Sequence, residues 1–572
     1  MPGIFGLTKR NKHNFSPQIV LNALNIYTDP ILHRRQDIEN NAISCSIVTY
    51  DFMQNRQVHF QQDEIELWVY GDPLIDGYTG EKAIELTAKL ASQSAPDFTK
   101  IADIDGLFTI VILNKITNKL HIIGDRNGLS HIYYGIFNGQ LIWASELRAL
   151  ISKQIKTTSR RESFQAFLAL GYLVDNTTWY NEINLLPPAS YLEWDLTNNE
   201  LKTVGTYWSH KNLIKSSISK NENEIVKDIA ELFANAVKRR VGENERIGIT
   251  LSGGQDSRAI FANIPPKNGF TAITRGLKGC GDIKLATEVT RRRNNCTHVI
   301  HEVNETNWLT DRVNAVIATS GQKDFFNMNS MLSLPIHKRY FDINLDGSEG
   351  ALLKGQCLNL NIPKDLKTFE NYYLRNGFFE YSDTLEELLR YYKQIDSSQY
   401  FFLHENIRRF SVFGSILGHD YGIISRFPIL DHHLQEYIYQ LPNTTNIGKI
   451  WNLMLIKYFP EYFVKIDNLD TGRRLFKSDR LNYLSRILAS VQSKVGIEKY
   501  VLKYHNYSNW MKNHDGGLIE KYLLPEQLNL YNYLDEKPIK NIIGHFLKTG
   551  EHLRLTSRIL GLSIFLEAEK CD

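Results

Sequence analysis

The chain has 572 residues, more than one hydrophobic core usually spans, which predicts two or more domains. Hydrophobic residues make up 42% and charged residues 23%, a soluble globular composition. A net charge of +3, spread along the chain, argues against a dedicated nucleic-acid surface. The five cysteines, Cys45, Cys280, Cys296, Cys357 and Cys571, are scattered with no Cys-x-x-Cys pair. Free thiols in a reducing cytosol, with no zinc site, are expected. The apolar start Met1-Pro2-Gly3-Ile4-Phe5-Gly6-Leu7 is too short for a signal peptide, and no apolar run approaches a membrane span.

Residues 1–208 read mostly as β. Strand-like runs cover Ala42 to Tyr50, Leu67 to Tyr70, Leu107 to Leu113, Leu120 to Ile123, Ile132 to Ile136 and Leu141 to Ala144. Asn114 to Lys119 and Asn138-Gly139 suit hairpin connections, so a layered β-rich domain is predicted. Residues 209–224 are rich in Lys, Ser and Asn and read as a linker. Residues 225–572 form the second domain. Ile225 to Val241 has helical spacing. The strand Ile247 to Leu251, a helix, the strand Phe270 to Thr274, a helix from Ile283 to Asn294 and the strand His298 to His301 follow. This alternation predicts a doubly wound parallel sheet with its ligand beyond the carboxyl ends of the strands. The chain past residue 365 reads as mainly helical.

Within that alternation lies Leu251-Ser252-Gly253-Gly254-Gln255-Asp256-Ser257-Arg258, an apolar strand opening into a Gly-rich turn and a helix. Glycines let backbone N–H groups approach an anion, and the helix start adds orphan N–H groups and partial positive charge. Ser252 and Ser257 add hydroxyl donors, and Asp256 can hold Mg²⁺ against phosphate oxygens. Leu251, Ser252, Gly253, Gly254, Asp256 and Ser257 therefore read as an ATP cradle. It lacks the Gly-Lys-Ser/Thr of a Walker loop and the Gly-x-Gly-x-x-Gly of a dinucleotide fold. A second turn, Asp346-Gly347-Ser348-Glu349-Gly350, follows the strand-like run Tyr340 to Leu345. Two acids facing a phosphate site would divide the work, one holding metal and the other accepting a proton. A strand-ending turn with solvated acids is the plain alternative.

The loop resembles that of the ATP pyrophosphatases, which cleave ATP between the α and β phosphates and pass AMP to a substrate oxygen. More widely, the chain resembles the glutamine-type asparagine synthetase family. Asp105-Gly106-Leu107-Phe108, Gly124-Asp125-Arg126-Asn127-Gly128 with Tyr133-Tyr134, Ala144-Ser145-Glu146-Leu147 and Leu186-Pro187-Pro188-Ala189 follow its order. So do Arg426-Phe427-Pro428-Ile429-Leu430-Asp431 and Leu441-Pro442. The resemblance implies an Ntn-hydrolase-like layered domain, then an ATP-pyrophosphatase domain with a helical C-terminal region. It implies Mg²⁺ on Asp256 and Glu349, nucleotide contact at Gly347, and Asp346 as the acid handling the amine. The family's late-loop cation falls in Asp470 to Ser478, where Arg473, Arg474 and Lys477 stay open, as does a solvated basic loop. Asp282 reads as a substrate contact or a helix N-cap.

Two departures bear on function. Glutamine-using members carry a cysteine nucleophile after Met1, whereas this chain has Pro2, which has no thiolate. The family's Asn-Gly-Glu stretch is Tyr70-Gly71-Asp72 here. The glutaminase-like half is thus expected to be inactive, with the amine belonging to the substrate. Members without that cysteine include β-lactam synthetases and lasso-peptide macrolactam cyclases. The expectation is a cytoplasmic, AMP-forming carbon–nitrogen ligase using ATP and Mg²⁺. Its substrate would be a precursor or core peptide closed as a macrolactam, and a leader-peptide protease a possible partner. A small-metabolite amide ligase and a non-catalytic nucleotide-binding scaffold are the alternatives.

Overall fold

A computed structural model describes residues 3–9, 33–53, 56–92, 96–151, 155–213, 216–355, 386, 389–393, 402–442, 444–495, 499–500 and 505–569. Pro2, Cys357, Cys571 and most of residues 356–401 lie outside it. The N-terminal half holds two six-stranded antiparallel sheets. The first runs β10 (Ile183–Leu185), β8 (Tyr133–Phe137), β9 (Gln140–Ala144), β1 (Gly3–Thr8), β3 (Ile43–Tyr50), β2 (His33–Glu39). The second runs β12 (Glu200–Thr206), β11 (Ser190–Asp195), β7 (Lys119–Gly124), β6 (Asp105–Asn114), β5 (Ile65–Leu74), β4 (His59–Gln62).

Strand alternation builds four layers from these sheets. Ile4, Cys45, Ile47 and Trp143 of the first sheet share a core with Trp68, Val111, Ile122 and Trp194 of the second. The opposite side chains of the second sheet, Leu67, Val69, Ile110 and Ile112, pack under the helix Gly80–Ala91. Phe5, Leu7 and Ile142 pack outward against Phe164 and Phe167 of the helix Arg161–Leu170. The C-terminal helix Leu553–Glu569 joins that same core, so the end of the chain closes over its beginning. Full burial of each such side chain contributes roughly 1.5–3 kcal/mol. At Gly6 a β-carbon would fall inside the Trp143 ring, so only glycine lets β1 lie against that indole.

The connection to the second half ends earlier than a linker of residues 209–224 would. Asn221 and Glu224 form a reciprocal capping box that starts the helix Glu222–Arg239. A five-stranded parallel sheet follows, ordered β15 (Cys296–Glu302), β14 (Phe270–Gly276), β13 (Ile247–Thr250), β16 (Ile343–Leu345), β17 (Ile424–Arg426). The chain leaves β13 toward β14 and β15 and returns on its other side through β16 and β17. The carboxyl end of β13 is therefore the topological switch point, where open α/β sheets bind ligands. Among the described residues, no helix is long and apolar enough to cross a membrane.

Candidate functional site

At that switch point Leu251 donates its N–H to Ile273, and the turn leads to the helix Gln255–Asn263, N-capped by Gly254. Ser257 is the loop's internal brace: its Oγ accepts the Ser252 N–H at 3.1 Å and meets Ser252 Oγ at 3.1 Å. Ser252 Oγ in turn accepts the Gly254 N–H at 3.1 Å. Arg258, fully buried, donates to Gly253 O at 2.7 Å and to Asp467 O and Tyr462 O at 3.0 Å. This clamps the turn to the 462–468 segment. Asp282 accepts the Gly253 N–H at 2.8 Å, a bond across the loop rather than an N-cap, since Cys280 holds that position. Burial raises the Asp282 carboxyl above its ordinary range.

The second turn packs directly on the first. A β-carbon on Gly347 would sit 2.9 Å from Ser257 N and 3.0 Å from its Cα. A β-carbon on Gly350 would overlap the Asp256 carboxylate. The two glycines thus bring the acid turn and the helix start into van der Waals contact. Asp346 Oδ1 accepts the Ser348 N–H at 2.8 Å and its hydroxyl at 2.5 Å, while Asp346 donates its own N–H to Arg426 O at 2.9 Å.

Between the turns lies a cavity of about 390 Å³. Ser252, Gly254, Asp256, Ser257, Asp346 and Gly347 line it. Leu251 is buried just behind, at the end of β13. Asp256 gives one oxygen to Lys354 Nζ at 2.7 Å, and its other oxygen is buried without a partner. Glu349 Oε1 is likewise buried and unpartnered. Burial, then Asp346, pushes the Glu349 carboxyl up to about 8. Its backbone sits at φ +81°, a left-handed conformation that strains a residue with a β-carbon. Glu349 does not itself line the cavity, but it lies within electrostatic reach of Asp256. Two orphaned carboxylate oxygens fit Mg²⁺, which takes one or two protein carboxylates plus phosphate oxygens and water.

Because the folded pKa of Glu349 is raised from 4.5 to about 8, the folded state binds the extra proton between those values. The empty protein should therefore lose stability as pH rises through that window. Glu349→Gln keeps the uncharged shape, so its melting temperature should fall less between pH 5 and pH 8.5. Equal falls in both proteins would contradict the burial assigned to this carboxyl.

Several lining residues carry no motif. Lys323 is buried, donates to Phe410 O at 2.7 Å and lies 3.8 Å from that ring's centroid. Burial lowers its ammonium to about 8. Arg275, at the end of β14, and His337, held neutral by burial, also line the cavity, and Asn344 Oδ1 accepts the Thr250 N–H at 3.1 Å. Their only signal in the sequence was position: Arg275 and Asn344 lie at or near the carboxyl ends of parallel strands. Arg474 and Lys477 are exposed and do not line the cavity. Arg473 turns to the following helix, toward Ser485 O and Gln492.

Residues 88–208 match a glutamine amidotransferase domain family. Asparagine synthetase (glutamine-hydrolyzing) 2 of Bacillus subtilis (strain 168) is 31% identical over 198 residues, 32% of this chain and 26% of that protein. The "Probable asparagine synthetase (glutamine-hydrolyzing)" of Acanthamoeba polyphaga mimivirus is 29% identical over 198 residues, 33% of this chain and 34% of its own. These matches support the asparagine synthetase family. The chain spans about a quarter to a third of the length of the curated relatives it matches. Glutamine phosphoribosylpyrophosphate amidotransferase from B. subtilis, solved with ADP and GMP, aligns at 11% identity over 52% of this chain and 81% of its own, with a TM-score of 0.26.

The family match falls on the sheets from β6 to β12 and stops short of the phosphate loop. It also leaves out the segment that departs from asparagine synthetases. There, Tyr70 is 5% exposed on β5, and Asp72 accepts from Arg426 of β17 at 2.6 Å and 3.0 Å. Cys45 lies in the inter-sheet core, where burial raises its thiol far from thiolate reactivity. Burial also raises Cys280, and Cys296 to about 11.

Proposed function

We propose that the chain is an ATP-dependent, AMP-forming amide ligase that closes an amine and a carboxylate of one substrate, most specifically a peptide macrolactam. The observation that carries the reading is the meeting of the Ser252–Ser257 loop and the Asp346–Gly350 turn across one cavity that also holds Lys323 and Arg275.

In this reading the ATP phosphates lie against the start of the helix Gln255–Asn263, where N–H groups and helix dipole favour negative charge. Asp256 and Glu349 would hold Mg²⁺, which when bound neutralises phosphate charge and stabilises the leaving pyrophosphate. A substrate carboxylate oxygen attacks the α-phosphorus as the α–β bridge breaks, giving an acyl-adenylate and pyrophosphate. Lys323 and Arg275 supply positive charge where negative charge accumulates on the phosphate oxygens. Arg474 and Lys477 reach the cavity only if the 470–478 segment moves. The amine nitrogen then attacks the acyl carbon, AMP leaves, and Asp346 takes the amine proton. Enclosing both groups in one cavity raises their effective molarity.

The intramolecular amine is supported by Pro2, which has no thiolate to attack glutamine, and by Tyr70 and Asp72, which are buried, with Asp72 paired to Arg426. A precursor or core peptide, its amine freed by a leader-peptide protease, fits this requirement, and cytoplasmic ATP would serve it. Nucleic acid has no role. A second reading takes ammonia or glutamine as the nitrogen donor; the relatives' names print glutamine hydrolysis for those proteins. Mass spectrometry separates the two. With a candidate peptide, ATP and ¹⁵N-ammonium, the product should weigh one water less than the substrate and carry no label. Incorporated ¹⁵N, or steady glutamate release from glutamine, would replace the intramolecular reading with the donor-using one.

A further inference from the structure

The helix Asp479–Lys494 is built unlike any other long helix described here. Only Ser485 is buried along its length. Leu481, Leu484, Leu488, Val491 and Val495 are each between 47% and 63% exposed. Their spacing of 3, 4, 3 and 4 residues puts them on one face. Ile487 and Tyr483, 42% and 64% exposed, widen that stripe. Single exposed apolar side chains are ordinary, but a contiguous stripe of this size marks an interaction surface.

The helix is moored along the flank that carries Asn482, Ser485 and Gln492. Arg473 reaches Ser485 O at 3.5 Å and Gln492 at 3.3 Å, and Asn482 exchanges hydrogen bonds with Phe476 at 3.0 Å and 2.7 Å. With these moorings made, the apolar stripe is left exposed. Its charge identifies what covers it. From residue 474 to 494 the chain has five basic residues, Arg474, Lys477, Arg480, Arg486 and Lys494, against the single acid Asp479. That segment's net +4 exceeds the +3 of the whole chain, so positive charge is concentrated around the stripe. Two copies paired antiparallel would set Arg480 against Lys494 at both ends, a like-charge contact that disfavours self-association.

We propose that this helix is an in-plane docking element for a membrane surface bearing anionic lipids. Its leucine and valine side chains would enter the boundary between headgroups and acyl chains, Tyr483 would sit at headgroup level, and the arginines and lysines would meet lipid phosphates. The helix follows in the chain after the 462–468 segment that Arg258 ties to the Ser252–Ser257 loop.

Flotation of the full chain with phosphatidylcholine vesicles, with and without phosphatidylglycerol, tests this. Binding is expected only with phosphatidylglycerol. It should weaken at least about tenfold when salt rises from about 0.1 M to about 1 M, as screening removes the lipid attraction. Leu484→Ser with Leu488→Ser and Val491→Ser, or Arg480→Glu with Arg486→Glu, should abolish flotation. The unfolding midpoint should stay unchanged, because these side chains are exposed. Indifference to phosphatidylglycerol, or undiminished flotation of the serine variant, would overturn the proposal. So would a dimer in sedimentation velocity that the serine substitutions dissolve while no vesicles bind, because the stripe would then be a protein interface.

Discussion

Asp256→Ala should lower substrate-dependent pyrophosphate release by about 10²–10³-fold, the usual cost of removing one group that stabilises transition-state charge. The substitution removes one of the two carboxylates that each keep a buried, unpartnered oxygen, and it frees Lys354 from its 2.7 Å ion pair. It should not harm the fold. Burial already raises the Asp256 carboxyl, so the empty protein gains little from keeping it charged. The loop's internal bonds run through Ser252, Ser257, Arg258 and Asp282 and do not need it. The expected signature is loss of activity together with loss of Mg²⁺-dependent ATP protection in thermal unfolding, at an unchanged melting temperature without ligand. A folded Asp256→Ala protein that releases pyrophosphate at the normal rate would remove this site from the chemistry.

Arg426→Met should cost about 3–5 kcal/mol of stability, the range for breaking a buried ion pair and leaving its partners charged. Arg426 is 1% exposed. Its guanidinium pairs with Asp72 of the first domain at 2.6 Å and with Glu245 at 2.5 Å, and also donates to Arg240 O at 2.9 Å. Both carboxylates hold the arginine strongly charged against the desolvation of its site. Nearby, Arg240 joins Asp105 to Asp431, and Arg239 adds a second cation to Asp431. The two halves of the chain are thus linked through a charged seam. Arg426 O also accepts the Asp346 N–H, so the seam reaches the acid turn. Urea unfolding of Arg426→Met should show a lower midpoint, and Arg426→Met with Asp72→Asn should recover part of the loss. An unchanged midpoint would mean the seam carries no net stability.

The strongest signals in the sequence were those of period and turn chemistry. The runs Ile247 to Leu251 and Phe270 to Thr274 are continuous apolar strands flanked by turns, and the structure has them as β13 and β14, the core of the parallel sheet. The Gly-rich turn and the acid turn were legible as glycines set among serines and acids after apolar strands, and at 347 and 350 the structure shows why glycine is needed, since a β-carbon would collide with Ser257 or Asp256. Short elements carried too little pattern. Ile424–Arg426 is a three-residue strand whose place is set by pairing with β16, not by propensity. The run Tyr340 to Leu345 divides into the end of the helix Leu334–Tyr340 and the strand β16. Lys323 and Lys354 were invisible for a different reason: nothing local marks a lysine that tertiary packing sets beside a carbonyl or a carboxylate. The basic run from Arg473 to Lys477 looked like a source of catalytic charge because only its composition could be read, and its direction depends on how the following helix is moored.

Adenylation of a substrate carboxylate is the central step of the proposed reaction. A candidate peptide labelled with ¹⁸O in its reacting carboxylate, incubated with the protein, ATP and Mg²⁺, should transfer one ¹⁸O to AMP, because the oxygen that attacks the α-phosphorus leaves with it. AMP without ¹⁸O, or ¹⁸O appearing in inorganic phosphate beside ADP, would contradict the mechanism.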